Sequence, residues 1–330
     1  VDQVALCDYL IDKGLLHSQD ATFTALSGGV SCEILLVDDG QARFVVKRAL
    51  DKLKVKDDWF ADIKRNITEQ EYLRYVGAFL PESVPAILYS DAEKYFFCME
   101  MIEGGLENWK SRLLLGEYDR QYARLAGSYL GSIHKQSLGD SLAQAKFDTL
   151  KDFTELRLEP YLLKTGSRHP GLNTHFVSEA DRIASTATCL IHGDYSPKNL
   201  MVGNGKLVIL DCEVAWYGDP VFDVAFLLNH FLLKALHKPK NAAQILGLGE
   251  KVWEAYLAAS GEVVDDGFES RLCHLLPMLM LARVDGKSPV EYLNACQQQT
   301  VRNFAYAVIP DGPTTLSQLL YQWTELLAAE

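Results

Sequence analysis

Three oxygen-bearing side chains, Asp194, Asn199 and Asp211, fall within residues 189 to 230, CLIHGDYSPKNLMVGNGKLVILDCEVAWYGDPVFDVAFLLNH. Phosphoryl transfer from ATP needs a carboxylate that orients the attacking hydroxyl and accepts its proton, and oxygen ligands that hold Mg²⁺ across the phosphates. His192-x-Asp194-x-x-x-x-Asn199 supplies one of each, and Asp211 can complete the metal site. Glu213 is a further candidate ligand, because alternation along a strand returns it to the face of Asp211. The plainer alternative is a loop in which Asp and Asn close Asx turns. Order and spacing relative to an upstream lysine favour the chemical reading.

These groups need elements to position them. The runs Cys189 to Ile191 and Leu207 to Leu210 read as strands, and Gly203-Asn204-Gly205 as the turn between them, which places both carboxylates at strand ends facing a loop. Upstream, residues 1 to 19 have the apolar spacing of a short amphipathic helix. Phe23 to Leu26, Cys32 to Val37 and Arg43 to Ala49 alternate with period two around Ser27-Gly28-Gly29 and Asp38-Asp39-Gly40, the pattern of an antiparallel meander. In the third run Lys47 shares a face with Val45, so it needs a partner or a ligand. Within Asp58 to Leu80, Glu69 lies in an apolar stripe with Leu73, Val76 and Leu80 and is the favoured partner. Glu71 is on another face and suits a capping box with Thr68.

Pro81 and Pro85 end that helix. Ala86 to Tyr89 and Tyr95 to Met101 read as two more strands, and Glu103-Gly104-Gly105 as a hinge. The remainder reads as mainly helical: Tyr118 to His134, Phe153 to Leu163, Glu179 to Thr186, Val221 to Leu236, Gly249 to Ala259, Phe268 to Val284 and two terminal helices broken at Pro310 to Pro313. Thr165 to Asn173 and 237 to 245 read as loops. The expected organisation is α+β and bilobal, with 1–102 as a small nucleotide-binding lobe and 103–330 as a larger helical lobe carrying the catalytic loop, the metal site and the acceptor region.

A net charge of -12 argues against nucleic acid as a partner, since phosphate backbones are bound by clustered Lys and Arg, and leaves room for a cationic or neutral small substrate. The seven cysteines form no C-x-x-C pair, so neither a disulfide framework nor a zinc site is expected, and a reducing cytoplasm fits. The first residues lack a basic region followed by an apolar run, and the most apolar segments are interrupted by Asp223, His230 and Pro277, so neither a signal peptide nor a membrane span is expected.

His192-Gly193-Asp194-Tyr195-Ser196-Pro197-Lys198-Asn199 followed by Leu210-Asp211-Cys212-Glu213 resembles the signature of the aminoglycoside phosphotransferase and choline kinase superfamily, small-molecule kinases with the protein-kinase fold. Trp216 to Pro220, Phe222-Asp223-Val224, Gly131 to His134 and Met99 to Gly104 are similar to the same superfamily's pattern. The resemblance implies ATP and Mg²⁺ as cofactors, Asp194 as catalytic base or hydroxyl orienter, Asn199 and Asp211 as magnesium ligands, and Glu213 near the metal. It also implies that Lys47, held by Glu69, contacts the α and β phosphates, that the backbone of Glu100 and Ile102 reads adenine, and that Ser27, Gly28, Gly29 and Ser31 cover the phosphates. His192 and Asp223 are expected to support the loop, and His134 to be a satisfied interior histidine. Trp216 and Tyr217 are candidates for the acceptor pocket, where packing is an equal alternative.

Serine at position 196, where relatives often carry histidine, shifts γ-phosphate stabilisation to Lys198 or to metal. Glu213 in place of the glycine of D-F-G points to a small-molecule acceptor. Val46 to Leu50, Leu53-Lys54-Val55, Asp58-Trp59 and Tyr217-Gly218 are similar to the methylthioribose kinase branch, although Asn199 departs from the serine usual there. The implied function is transfer of the ATP γ-phosphate to a hydroxyl of a sugar-like or amino-alcohol metabolite, with Arg283 and Asp285 as candidate acceptor contacts. The alternatives are an aminoglycoside-type antibiotic phosphotransferase and a catalytically silent nucleotide-binding pseudokinase.

Overall fold

The computed structural model describes residues 3–26, 32–49 and 65–328. The chain divides into two compact units, Val1–Gly104 and Gly105–Glu330. Ser27, Gly28, Gly29 and Ser31, and the run from Leu50 through Trp59, lie outside the described residues.

The first unit is a five-stranded antiparallel sheet in the order β1-β2-β3-β5-β4, built from β1 (Thr22–Ala25), β2 (Cys32–Asp38), β3 (Arg43–Ala49), β4 (Ile87–Asp91) and β5 (Phe96–Glu100). Alternation along the strands sorts their side chains onto two faces. Leu35, Val37, Phe44, Val46, Phe96 and Cys98 form one apolar layer with Cys7 and Leu10 of helix α1 (Gln3–Asp12). Lys47, adjacent to Val46, therefore points away from α1, toward helix α2 (Arg65–Gly77). That helix buries Glu69, Tyr72, Leu73 and Val76, so its apolar stripe carries a carboxylate.

The second unit is largely helical. It runs β6 (Glu107–Asn108), α3 (Trp109–Leu115), α4 (Arg120–Ser137), α5 (Ser141–Lys146), α6 (Leu150–Phe153), a π-helical stretch Thr154–Leu163, α7 (Lys164–Arg168) and α8 (Asn173–Ala184). Strands β7 (Cys189–Ile191), β8 (Leu200–Gly203), β9 (Lys206–Ile209) and β10 (Trp216–Gly218) follow, then α9 (Pro220–His237), α10 (Ala242–Ser260), α11 (Phe268–Asp285), α12 (Ala295–Val308) and α13 (Leu316–Ala328). None of the helices among the described residues is long and apolar enough to cross a membrane.

Three readings need correction. The Gly203-Asn204-Gly205 turn joins β9 to β8, not to β7; Asn204 and Gly205 both have positive φ, the backbone of a tight hairpin, and β7 pairs instead with β10. The expected loop 165–173 begins inside α7, which continues directly from the π-helical stretch. The loop at 237–245 is likewise shortened, because α10 already starts at Ala242.

Six cysteines are buried and Cys296 is exposed; all seven are free thiols.

Candidate active site

The loop that carries Asp194 leaves β7 at His192 and is held by α9. Asp219 caps α9, accepting from the Val221 amide at 3.0 Å with Pro220 in the first turn, a standard way to start a helix without wasting donors. One turn in, Asp223 accepts from two consecutive loop amides, His192 N at 2.6 Å and Gly193 N at 2.9 Å. His134 of α4 is buried against the Asp223 carboxylate (3.4 Å) and the Tyr256 hydroxyl (3.0 Å). Gly193 has φ 74°, and a Cβ there would meet the Val214 carbonyl oxygen at 2.5 Å, so no side chain fits between the histidine and the aspartate of this motif.

His192 is a support, not an acid or base. Its Nδ1 accepts from the Asp194 amide at 3.1 Å, which leaves Nε2 protonated and donating to the Leu210 carbonyl at 3.0 Å. Burial lowers its pKa despite the acidic neighbours Asp223 and Asp194, consistent with a neutral ring locked in one tautomer.

Asp194 is buried, and its Oδ2 lies 3.0 Å from Arg157 Nη2 and 3.1 Å from Lys198 Nζ. Burial alone would push its carboxyl up; the charges of Arg157 and Lys198 reverse that and hold it below the ordinary carboxylate range. The Asp194 carboxylate is thus ionised and fixed in orientation. Arg157, which no motif in the sequence points to, is the residue that fixes this carboxylate. It sits in the π-helical stretch, buried, with Nε donating to the Gly193 carbonyl at 2.5 Å. The available signal was an arginine among Phe153, Leu156, Pro160 and Tyr161 on an apolar helical face, the same anomaly that drew attention to Lys47.

Asn199 donates from Nδ2 to the Asp194 carbonyl at 2.9 Å, which leaves Oδ1 as the acceptor end of the amide. Asp211 follows β9 with φ 62°, a left-handed backbone uncommon for a residue with a side chain and frequent at functional turns. Its charge acts on Asp194, Arg157 and Lys198. Glu213 is buried, and its charge also reaches Arg157. Amide and carboxylate oxygens are a hard donor set that suits Mg²⁺. Among the described residues no three His, Cys, Asp or Glu gather as a metal cluster.

In the first unit Lys47 Nζ donates to Glu69 Oε1 at 2.7 Å, with side chains 4% and 2% exposed. Glu71 instead meets Arg74 at 3.0 Å. The Glu100 amide donates to the Ala86 carbonyl at 2.8 Å, and Ile102 follows just beyond β5.

The acceptor candidates separate. Trp216 and Tyr217 are interior: Trp216 packs on Phe153 at 4.9 Å between ring centroids, and the Tyr217 hydroxyl donates to the Ser137 carbonyl at 3.1 Å. Their expected place in an acceptor pocket is therefore corrected to packing of the β7–β10 pair. Asp285 is also reassigned, since its carboxylate takes two bonds from Arg302 at 2.8 Å and lies 2.9 Å from His169, which ties α11 to α12. Arg283 stays on the site side, with Nη1 3.3 Å from the Tyr161 hydroxyl and 2.8 Å from Ser288 Oγ. Tyr161 in turn has the Arg157 guanidinium 5.9 Å from its ring centroid.

Residues 22–274 match the family model of the phosphotransferase enzyme family. The methylthioribose kinase of Yersinia enterocolitica serotype O:8 / biotype 1B is 28% identical over 236 residues, covering 62% of this chain and 59% of that protein. The one from Pectobacterium atrosepticum is 26% identical over 235 residues, covering 62% and 58%. The match thus spans about three fifths of the length of these relatives. Among solved structures, amicoumacin kinase hAmiN in complex with AMP-PNP, Ca²⁺ and Ami superposes with a TM-score of 0.57 at 14% identity, covering 97% of both chains. A choline/ethanolamine kinase family protein from Mesorhizobium loti superposes at 0.56 and 14%, covering 97% and 98%. The chain therefore has the bilobal kinase-like α+β fold, a small antiparallel sheet unit followed by a larger helical one.

Proposed function

The chain belongs to the phosphotransferase enzyme family, and from that premise we propose that it transfers the γ-phosphate of ATP to a hydroxyl of a small metabolite, sugar-like or an amino alcohol. The observation that carries this is Asp194, a buried carboxylate held ionised by Arg157 and Lys198, on a loop that also carries Asn199, with Asp211 following β9 as a second oxygen donor whose charge reaches Asp194. A carboxylate below its ordinary range is a weak base toward a ground-state alcohol, so its first task is orientation. As the acceptor oxygen bonds to the γ-phosphorus and the bond to the departing ADP breaks, the hydroxyl proton passes to Asp194, late in a loose transition state.

Asn199 and Asp211, with Glu213 beside them, would hold Mg²⁺, which supplies neutralisation of charge on the phosphate oxygens. Lys47, steered by Glu69, is assigned to the α and β phosphates. The Glu100 carbonyl and Ile102 amide are assigned to the adenine edge, and Ser27 to Ser31 to covering the phosphates. Residues 1–102 then form the nucleotide-binding lobe and 103–330 the lobe that binds metal and acceptor. Lys198, 53% exposed at its side chain, is free to turn from Asp194 to the γ-phosphate. The kinship with methylthioribose kinases supports a sugar-like acceptor. Seven free thiols favour a reducing, cytoplasmic setting.

The test is a coupled ADP-release assay over sugars, amino alcohols and aminoglycosides, run on wild type and Asp194→Ala. The variant is expected to lose about 10²- to 10⁴-fold in turnover while nucleotide still raises its melting temperature. Turnover in the variant equal to wild type would sink the assignment. A magnesium-independent shift with ATP and no turnover on any acceptor would instead indicate a silent nucleotide-binding protein.

A further inference from the structure

Helix α9 presents Phe226, His230 and Lys234 on one face, four residues apart. Phe226 marks the catalytic end, with its ring centroid 5.9 Å from the Arg157 guanidinium and 5.4 Å from the Tyr161 ring. His230 follows one turn on, 5.8 Å from Phe226 between ring centroids. Lys234 lies a turn further, its Nζ 5.3 Å from the centroid of the Tyr292 ring. Arg283 of α11 approaches the same side through the Tyr161 hydroxyl.

Lys234 is 1% exposed, and among the described residues its Nζ has no hydrogen-bond partner. The Tyr292 hydroxyl and Arg283 Nε share that condition. The charges acting on Lys234 are those of Lys110 and Arg283, both positive, and of Glu291, which is itself paired with Lys110 at 2.5 Å. Burying an ammonium with no acceptor, its one counter-charge already paired with another lysine, is costly. Desolvation and the two cations bring Lys234 down to about 7, and the same surroundings keep His230 neutral. An oxyanion entering here would supply the missing acceptors and favour the charged lysine.

We propose that His230, Lys234, Arg283 and Tyr292 form a subsite for an oxyanion, a carboxylate or phosphate carried by the acceptor alcohol itself. This rests on the phosphotransferase reading and narrows its substrate to an anionic hydroxylated metabolite. The helix rise sets a scale: Lys234 is about 12 Å along the axis from Phe226. The oxyanion would thus sit about two helical turns from the catalytic end, a separation that an extended hydroxylated acid can bridge. An amine-rich acceptor would bring like charge to this face, which disfavours the aminoglycoside alternative.

The experiment uses the full chain and matched pairs differing in one anionic group: D-ribose and D-ribose 5-phosphate, D-glucose and D-glucose 6-phosphate, D-glucose and D-glucuronate. Calorimetric binding without nucleotide is measured for wild type, Lys234→Met and Arg283→Gln, beside the ADP-release assay. Methionine fills the lysine's volume without its charge, so Lys234→Met is expected to fold. In wild type at least one acid binds tenfold or more tighter than its neutral partner, and in Lys234→Met the preference falls below threefold. Which pair responds separates phosphate from carboxylate. Equal affinity within every pair, no binding of any acid, or a preference that survives both variants overturns the subsite. Turnover of a neutral or amine acceptor without acid preference overturns it while leaving the phosphotransferase reading intact. Acid binding with no ADP release from any acceptor overturns that reading and leaves the subsite standing.

Discussion

Arg157 joins two parts of the catalytic loop, bonding the Gly193 carbonyl through Nε and facing the Asp194 carboxylate through Nη2. It is the larger of the two charges that oppose burial at the Asp194 carboxyl, so its loss lets that carboxyl rise. Asp194 as the proposed base must be ionised to act, so in Arg157→Met the acid limb of the kcat/KM profile moves to higher pH. Turnover near neutrality falls by about 10²-fold as the carboxylate loses its aim. Arg157→Lys restores the charge but not the fork, so the limb returns toward wild type while part of the loss remains. A pH–rate series with unchanged limbs in Arg157→Met would show that Lys198 alone governs Asp194. Lys47 with Glu69 was legible in the sequence because a lysine beside valines and a carboxylate in an apolar stripe each break a period. Arg157 breaks the same rule, yet which carboxylate it meets depends on bringing the π-helical stretch under the loop, and no local pattern encodes that.

Helices α4 and α10 meet without side chains between them at two glycines. A Cβ on Gly127 would lie 2.2 Å from the Val252 carbonyl oxygen, and one on Gly131 2.9 Å from the Tyr256 carbonyl oxygen. Backbone atoms cannot step aside, so Gly127→Ala must push the helices apart, at a cost of about 1–3 kcal/mol or more. The denaturant midpoint should fall at an unchanged slope. Because His134 on α4 and Tyr256 on α10 share the hydrogen-bond chain to Asp223, activity should fall with it; a stable, fully active variant would contradict this coupling. The helical periods of α4, α9 and α11 were readable, as was the meander of β1 to β3. The pairing of β7 with β10 was not, since a three-residue strand carries no period and its partner is remote. Nor was the π-helical geometry around Pro160, whose sequence reads as an ordinary apolar helix.

Across the whole molecule, net charge and local charge point in opposite directions. The chain carries -12, which leaves room for a cationic or neutral substrate, yet Arg157, Arg283 and Lys234 gather on one side of the second unit. Summed charge governs solubility and long-range steering; it has no bearing on which sign a buried face selects. The division into units falls at Gly104 and Gly105, both with left-handed backbone, where a glycine pair in a chain otherwise rich in periodic segments is visible by eye. The free thiols offer a different use. Cys296 is the exposed one of seven, and it sits in the first turn of α12, four residues after Tyr292. A maleimide dye added to the native chain should therefore attach once, giving a single mass increment, with further labelling only after unfolding. The unaltered protein thus carries its own labelling site four residues from Tyr292 in the chain, and the dye's emission during titration with a sugar acid would follow occupancy in real time without any engineered cysteine.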